Sequence, residues 1–235
     1  MENLSMLRNL WSRLKGFETH LRQNWGRDIS TPSGRRNAWW HFQLMDHAFL
    51  RVLWTNLDEI APGVWRSNQP SPKRIKRYAR MGIRNIIYLR GEAPKSHLLF
   101  ERETCAQLDI GLHNVSLSAR NLCPADEYLK LLDLFDRLEK PFLMHCKSGA
   151  DRAGLASAMY LIHAEGKSVA EARAQLSFKY LHLKNDSTGV LDFMLEKLEV
   201  DQKNAPQTLR TWLQSTYDQT ALSHEFAQKR AARSG

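Results

Sequence analysis

Hydrophobic positions divide the chain into a helical beginning, a mixed middle and a helical end. In residues 1–26, apolar side chains recur about every 3.6 residues, which predicts an amphipathic helix. Residues 36–53 repeat this spacing after a break that contains Pro32. We expect this helical N-terminal extension, residues 1–53, to pack against the body of the protein, with contact to a membrane surface as the alternative.

From residue 54 onward, short apolar runs alternate with helical stretches. The runs Leu57–Ile60 and Val64–Ser67 predict a hairpin, and later runs predict strands at Ile83–Leu89, Leu112–Leu117 and Pro141–His145. Helices are predicted from Ser71 to Met81 and over Leu98–Leu108, Pro124–Leu138, Asp151–Glu165, Val169–Phe178 and Val190–Leu198. This order predicts an α/β domain over residues 54–200, with a central mixed, mostly parallel sheet of four to five strands flanked by helices. A C-terminal helical tail, residues 201–235, is expected to pack on the domain.

Composition indicates the class of protein and its cellular compartment. The 235 residues are 43% hydrophobic and 25% charged, as in a soluble globular protein. No apolar run approaches the roughly 20 residues of a membrane span, and the N-terminus lacks the apolar core of a signal peptide. We therefore expect a cytoplasmic protein. Its three cysteines have no metal-like spacing and are expected to be free thiols in a reducing compartment.

Positive charge is concentrated in one segment. The net charge is +9, and residues 73–90 contain seven basic side chains and no acid. Such a field attracts anionic partners, whether phosphorylated substrates or an anionic surface, but a solvated helix face explains it equally well. We expect no specific nucleic-acid partner.

The candidate chemistry lies in a strand, a loop and a helix that follow one another. The strand Phe142–Met144 leads into the loop Cys146–Arg152, and a helix follows from Ala153. A cysteine at the mouth of a helix meets the positive end of its dipole, which favours the thiolate. The loop backbone can form a nest for an oxyanion, with the residues Lys147, Ser148, Gly149 and Ala150 as its members. Arg152 would present a planar fork to two phosphate oxygens, so phosphoryl transfer needs no metal or other cofactor here.

His145–Arg152 matches H-C-x5-R and so resembles the signature loop of the protein tyrosine phosphatase superfamily. Trp65–Pro70 and Ile86–Arg90 look like its compact dual-specificity-like branch, and the resemblance covers roughly residues 55–200. It implies a phosphatase in which Cys146 forms a cysteinyl-phosphate intermediate that water hydrolyses. The alternative, a buried structural cysteine, does not explain Gly149 and Arg152 at their offsets.

Two positions depart from the family's pattern. Ala153 stands where the family usually places a Ser or Thr that helps release the phosphate. Residues 117–122, where the family usually carries an acidic residue, contain no carboxylate, and Asp126 falls in the expected first turn of a helix. Asp151 is the better candidate for the general acid, because some phosphoinositide phosphatases of the superfamily carry an Asp just before the loop arginine. Its alternative role is a helix cap that pairs with a neighbouring base.

Further residues are assigned by position. Lys147 adds charge at the rim of the loop, and Arg90 and Arg120 end strand-to-loop segments on the same side, so all three are candidate substrate contacts. His182 has no paired spacing and is predicted to be structural. The leading hypothesis is hydrolysis of a phosphomonoester on a phosphoprotein, a phosphoinositide or an inositol phosphate. The alternative is a phosphate-binding module with little turnover.

Overall fold

The computed structural model describes residues 25–184 and 187–234, so the helix predicted for residues 1–26 lies almost entirely outside the described residues. The five strands are β1 (Asp58–Ala61), β2 (Val64–Asn68), β3 (Asn85–Tyr88), β4 (Gly111–Asn114) and β5 (Phe142–Cys146). The described helices are α1 (Pro32–Trp40), α2 (Pro72–Arg80), α3 (Ser96–Gln107), α4 (Ala125–Arg137), α5 (Asp151–His163), α6 (Val169–Ala172), α7 (Val190–Asn204), α8 (Leu209–Ser215) and α9 (Gln219–Ser234).

The sheet has the order β1-β2-β5-β3-β4, in which β1 runs antiparallel to β2 and the other neighbours are parallel. This confirms the predicted mixed, mostly parallel sheet. β5 lies in the middle, and Cys146 pairs with Asn68 of β2 at the carboxyl ends of the two strands. Loops at this edge of a parallel sheet are where ligands bind in open α/β folds. The topology therefore brings the cysteine loop, Cys146–Arg152, to that edge.

Local signals place most helix ends correctly. α2 begins after Ser71, whose side chain accepts a hydrogen bond from the Arg74 N–H, with Pro72 in the first turn. The predicted helix Val169–Phe178 is wrong beyond Ala172, where two 3₁₀ turns follow. The backbone carbonyl and the side-chain Oε1 of Gln175 accept hydrogen bonds from the Arg66 guanidinium, at 2.8 and 2.7 Å. This long-range contact competes with continuation of the helix.

Two hydrophobic cores cover the two faces of the sheet. The larger core holds side chains of α4, α5, α7 and α8, and the smaller one holds side chains of α2 and α3. The segment after residue 200 contributes to the larger core, because Trp212 is fully buried and its Nε1 donates to Asp201 at 2.8 Å. Leu209, Leu213 and Leu222 are buried there as well.

The segment before β1 departs from the expected packing. Among its apolar side chains Phe42 is buried, whereas Trp39, Trp40, Leu44, Phe49, Leu50 and Leu53 are exposed. The polar side chains of Asp46 and Arg51 are buried instead. The apolar spacing was therefore a wrong guide to which side chains of this segment point inward. Within the described parts of the chain, no helix is both long enough and apolar enough to cross a membrane.

Candidate active site

The cysteine loop joins the central strand to the N-terminus of α5. Cys146 ends β5 with a side chain that is 1% exposed, and its Sγ accepts a hydrogen bond from the Gly149 N–H at 3.3 Å. Asp151 begins the 13-residue helix α5, so the loop lies at the positive end of that helix dipole. The predicted strand, loop and helix are all present.

Gly149 is required by space as well as by backbone conformation. Its φ is +76°, and a Cβ there would lie 2.8 Å from the Asn68 backbone nitrogen and 2.8 Å from the Asn56 Cβ. Asn56 also holds the loop directly, because its Nδ2 donates to the Ser148 carbonyl at 2.9 Å. A side chain at position 149 would push the loop away from β2.

Arg66 holds the cysteine loop through its backbone carbonyls, a role that was not predicted from the sequence. Its guanidinium is fully buried, donates to the carbonyls of Gly149 and Ala150 at 2.5 and 3.3 Å, and lies 3.6 Å from the centre of the Tyr180 ring. Burial lowers the pKa of Arg66 to about 10, so it remains charged near neutral pH. Its only sequence signal is membership of Trp65–Pro70, one of the segments that carry the family resemblance.

A cavity of about 360 Å³ opens beside the loop. It is lined by His47, Leu50, Arg51, Trp54, Ala119, Arg120, Lys147, Ser148, Asp151, Arg152 and Thr188. Five predicted site residues therefore meet at one cavity, although they come from two separate segments of the chain. The cations among them favour an anionic ligand.

Arg152 places a buried donor at the cavity. Its Nε is buried and has no hydrogen-bond partner among the described residues. The Nε of Arg51 is unpaired as well, but another nitrogen of that guanidinium donates to Asp46 at 2.7 Å. Arg120 is exposed at the cavity. A buried N–H group without a partner is costly in the absence of a ligand, and an oxyanion satisfies it.

Asp151 is bound to a histidine from a distant loop. His182 Nδ1 lies 2.8 Å from Asp151 Oδ1, and His182 Nε2 lies 2.7 Å from Asp192 Oδ2. Burial alone would lower the pKa of His182, but the two hydrogen-bonded carboxylates outweigh it and raise that pKa to about 9. The ring is thus an imidazolium near neutral pH and donates to both acids. We call these three residues the His182 cluster; no spacing in the sequence pairs them.

Arg90, which was predicted to contact the substrate, lies in a second buried cluster. Its guanidinium donates to Asp46 at 2.6 Å and to Gln69 at 2.8 Å, and it is not among the cavity-lining residues. We call Asp46, Arg51, Arg90 and Lys147 the Asp46 cluster; Lys147 Nζ lies 3.8 Å from Asp46 Oδ1. A predicted substrate contact is thus an internal ion pair, because the partner acid comes from the segment before β1.

The Asp46 cluster continues to the strand that carries the cysteine. Gln69 Nε2 donates to Glu101 Oε2 at 2.6 Å, and the other oxygen of Glu101 lies 2.7 Å from His145 Nε2. Burial by itself would raise the pKa of Asp46, but Arg90 above all outweighs it and holds that pKa well below its usual range. Asp46 is therefore an anion at the end of a buried polar chain that reaches His145.

Among the described residues, three of the four non-glycine positions with positive φ lie at or beside the cavity. They are His47, Asn56 and Leu181, with φ values of 58°, 48° and 65°, and the fourth is Asp109, which lies elsewhere. His47 lines the cavity, Asn56 binds the loop, and Leu181 precedes His182. Such conformations cost energy and cluster at functional sites, which supports this cavity as the site.

These features together define the class: a mixed sheet whose central strand ends in a cysteine loop, as in phosphatases of the dual-specificity type. The family profile described as PTP-SAK, a Swiss Army Knife protein DSP-PTPase phosphatase domain, matches residues 58–221. The chain belongs to this family. No curated protein matches the sequence.

Solved structures share the fold at low sequence identity. A mutant form of Tk-PTP is 20% identical with a TM-score of 0.52, covering 63% of this chain and 97% of that one. A DUF442 protein of Shewanella putrefaciens is 15% identical with a TM-score of 0.51, covering 66% of this chain and 98% of that one. Pseudomonas aeruginosa TpbA, solved with pTyr, is 20% identical with a TM-score of 0.48, covering 64% and 91%. For the two structures with TM-scores above 0.5, the likeness shows the fold alone.

Proposed function

We propose that the protein hydrolyses phosphomonoesters with Cys146 as the nucleophile and Arg152 as the phosphate clamp. The observation that carries the proposal is the cysteine loop itself: Cys146 ends β5, Gly149 shapes the loop before α5, and Arg152 of that loop lines a cationic cavity. Anionic phosphorylated substrates suit this lining by charge. A phosphoprotein, a phosphoinositide and an inositol phosphate all carry the required group.

The chemistry proceeds in two balanced steps. The Cys146 thiolate attacks phosphorus, the S–P bond forms, and the P–O bond to the leaving group breaks while Asp151 gives that oxygen a proton. Water then attacks phosphorus, Asp151 takes its proton, and the S–P bond breaks to release inorganic phosphate. Arg152 and the loop N–H groups stabilise the charge on the equatorial oxygens in both steps.

Asp151 as the general acid is supported by its place at the cavity and by its partner. A bound phosphate brings negative charge beside Asp151, which favours the proton on its carboxyl group. His182 Nδ1, 2.8 Å from Asp151 Oδ1, fixes the orientation of that carboxyl group. In this proposal His182 positions Asp151, and Asp192 holds His182 from the other side.

The nucleophile is tested with Cys146→Ser on an aryl phosphate, with Cys105→Ser as the matched control. Cys105 is also buried, but it belongs to α3. We expect Cys146→Ser to lose activity by at least about a thousandfold and the control to retain it. Mass spectrometry of acid-quenched enzyme should place phosphate on Cys146. Hydrolysis by Cys146→Ser at the wild-type rate would refute the proposal.

The acid is tested by comparing leaving groups. Asp151→Asn should slow an alkyl phosphate much more than an activated aryl phosphate, because only the poor leaving group needs the proton. Equal losses with both substrates would remove Asp151 from this role and leave it as a structural partner of His182.

A second candidate function is a phosphate-binding module with little turnover. It is favoured by Ala153, which is fully buried directly after Arg152 and supplies no hydroxyl to assist release of the phosphate. In that case wild type would give one turnover and stop, and Ala153→Ser would increase the steady-state rate. Rapid multiple turnover by wild type excludes this alternative.

A further inference from the structure

The cavity mouth is flanked by apolar side chains that the proposed chemistry does not use. They come from the 3₁₀ turn before β1 and from the turn around His182. Their exposed fractions are 39% for Leu50, 75% for Val52, 78% for Leu53, 47% for Leu181 and 58% for Leu183. We call these five residues the apolar rim. Exposed apolar side chains gathered at one place mark an interaction site.

Contacts within the protein bring both segments to the same cavity. Leu50 lines the cavity itself, next to Arg51 and Trp54. On the other side, Thr188 lines the cavity and its Oγ1 donates to the Leu183 carbonyl at 2.9 Å. His182, between Leu181 and Leu183, turns inward to Asp151. The two apolar segments therefore border one opening.

The backbone keeps Leu181 in this position at a cost. Its φ of 65° is in the left-handed region, which a leucine adopts only under constraint. The conformation lets His182 turn inward while Leu181 stays half exposed. A polar residue such as Asn adopts this conformation more readily, so the fold alone gives no reason for an apolar side chain here.

Cationic side chains line the cavity that the apolar rim borders. Arg120, Lys147 and Arg152 are among its lining residues, and the whole chain has a net charge of +9. An apolar border around a cationic opening is complementary to an anionic lipid bilayer, in which acyl chains lie next to charged headgroups. A soluble phosphopeptide offers the charge but not the continuous apolar layer.

We propose that the apolar rim docks the protein on an anionic lipid surface and that the cavity takes a phosphomonoester carried by a lipid headgroup. The choice of substrate rests on the proposed function, whereas the docking itself does not. The rim leucines and Val52 insert between headgroups, and the cations face the phosphate. The established family assignment says nothing of this surface.

Docking is tested by sedimentation with vesicles, using Cys146→Ser protein so that turnover does not change the lipid. The vesicles are phosphatidylcholine alone or mixed with phosphatidylserine. Val52→Ser/Leu53→Ser/Leu183→Ser removes three rim side chains outside the cavity lining. The matched control is Val200→Ser, an exposed apolar position at the far end of α7.

We expect binding to the mixed vesicles, weaker binding to phosphatidylcholine alone, and at least a tenfold lower partition coefficient for the triple variant, about 1.4 kcal/mol. The control should bind like its parent. Failure of the parent protein to sediment, or equal binding by the triple variant, overturns the proposal, as does an equal loss in Val200→Ser.

The substrate is tested with wild-type enzyme, which keeps Cys146. Its phosphate release is measured on phosphatidic acid in vesicles, glycerol phosphate in solution, a phosphopeptide and an aryl phosphate. The triple rim variant should lose rate on the vesicle substrate and keep its aryl phosphatase rate, which also shows that it is folded. A phosphopeptide or glycerol phosphate that matches the vesicle substrate overturns the lipid assignment. If wild type hydrolyses nothing, the proposed function fails while the sedimentation result stands on its own.

Discussion

Two buried ion clusters flank the cysteine loop, and they have opposite composition. The Asp46 cluster is a carboxylate among cations, whereas the His182 cluster is a cation between two carboxylates. The Asp46 cluster reaches the cavity through Arg51 and Lys147, and the His182 cluster reaches it through Asp151. Each also anchors a segment distant in sequence, the one before β1 and the one before α7. The loop is thus held by charge from both sides.

The opposite composition gives opposite responses to pH. Asp46 has a lowered pKa, so its contribution to stability is present above the usual carboxyl pKa and is lost as the pH falls through the lower folded value. His182 has a raised pKa, so its contribution is present below the usual imidazole pKa and is lost as the pH rises through about 9. The neutral range keeps both clusters charged.

The largest expected effect is the loss of the acid at the centre of the Asp46 cluster. Asp46→Ala leaves Arg90 and Arg51 buried without their counter-ion, which should lower the free energy of unfolding by about 3–5 kcal/mol. Urea unfolding followed by circular dichroism measures this. Asp133→Ala is the control, since its ion pair with Arg210 is exposed and should be worth under about 1 kcal/mol. Equal small losses in the two variants would mean that the cluster is not structurally important.

The His182 cluster should give an alkaline loss of stability. Between pH 6.5 and about 9.5, wild type should lose up to about 3 kcal/mol more than His182→Gln, which cannot titrate there. Unfolding free energies measured across this range provide the comparison. The quantity to compare is the difference in unfolding free energy between the two proteins at each pH. Both proteins contain the same thiols, which also titrate in this interval, so their contribution cancels in the difference. Parallel curves would show that His182 is not an imidazolium in the folded protein.

Removing one acid of the His182 cluster should have a smaller effect. Asp192→Asn takes away one of two carboxylates but keeps a hydrogen-bonding side chain, so the pKa of His182 should fall by about one unit. NMR titration of the imidazole measures it directly. An unchanged pKa would assign the shift to Asp151 alone.

The smallest effect is expected for the half-exposed member of the Asp46 cluster. Lys147→Met should change the free energy of unfolding by less than about 1 kcal/mol, because its side chain is 38% exposed and 3.8 Å from Asp46. Substrate affinity should weaken, since Lys147 lines the cavity. A large loss of stability with unchanged KM would reverse the roles inferred for Lys147 and Arg90.

The two clusters also differ in how far their members could be predicted from the sequence. Lys147 and Asp151 were identified as site residues because they lie inside a recognisable loop, and both line the cavity. Arg90 was grouped with them because it ends a strand at the same edge. Its partner Asp46 lies 44 residues earlier, in a segment whose apolar spacing predicted a packed helix. No local pattern records such a pair.

The strands, most helix boundaries, the mixed parallel sheet and the cysteine loop with its glycine and arginine could all be predicted from the sequence. Apolar alternation, caps and turn residues act over a few positions, so they can be recognised along the chain. Three contacts could not be predicted from the sequence: Arg90 is buried against Asp46, Arg66 holds the loop carbonyls, and His182 binds Asp151. Each of these depends on side chains brought together across 30 or more residues. A buried charge without a partner is costly. The role of each of these three side chains is therefore fixed by the partner that the fold places beside it and not by its residue type.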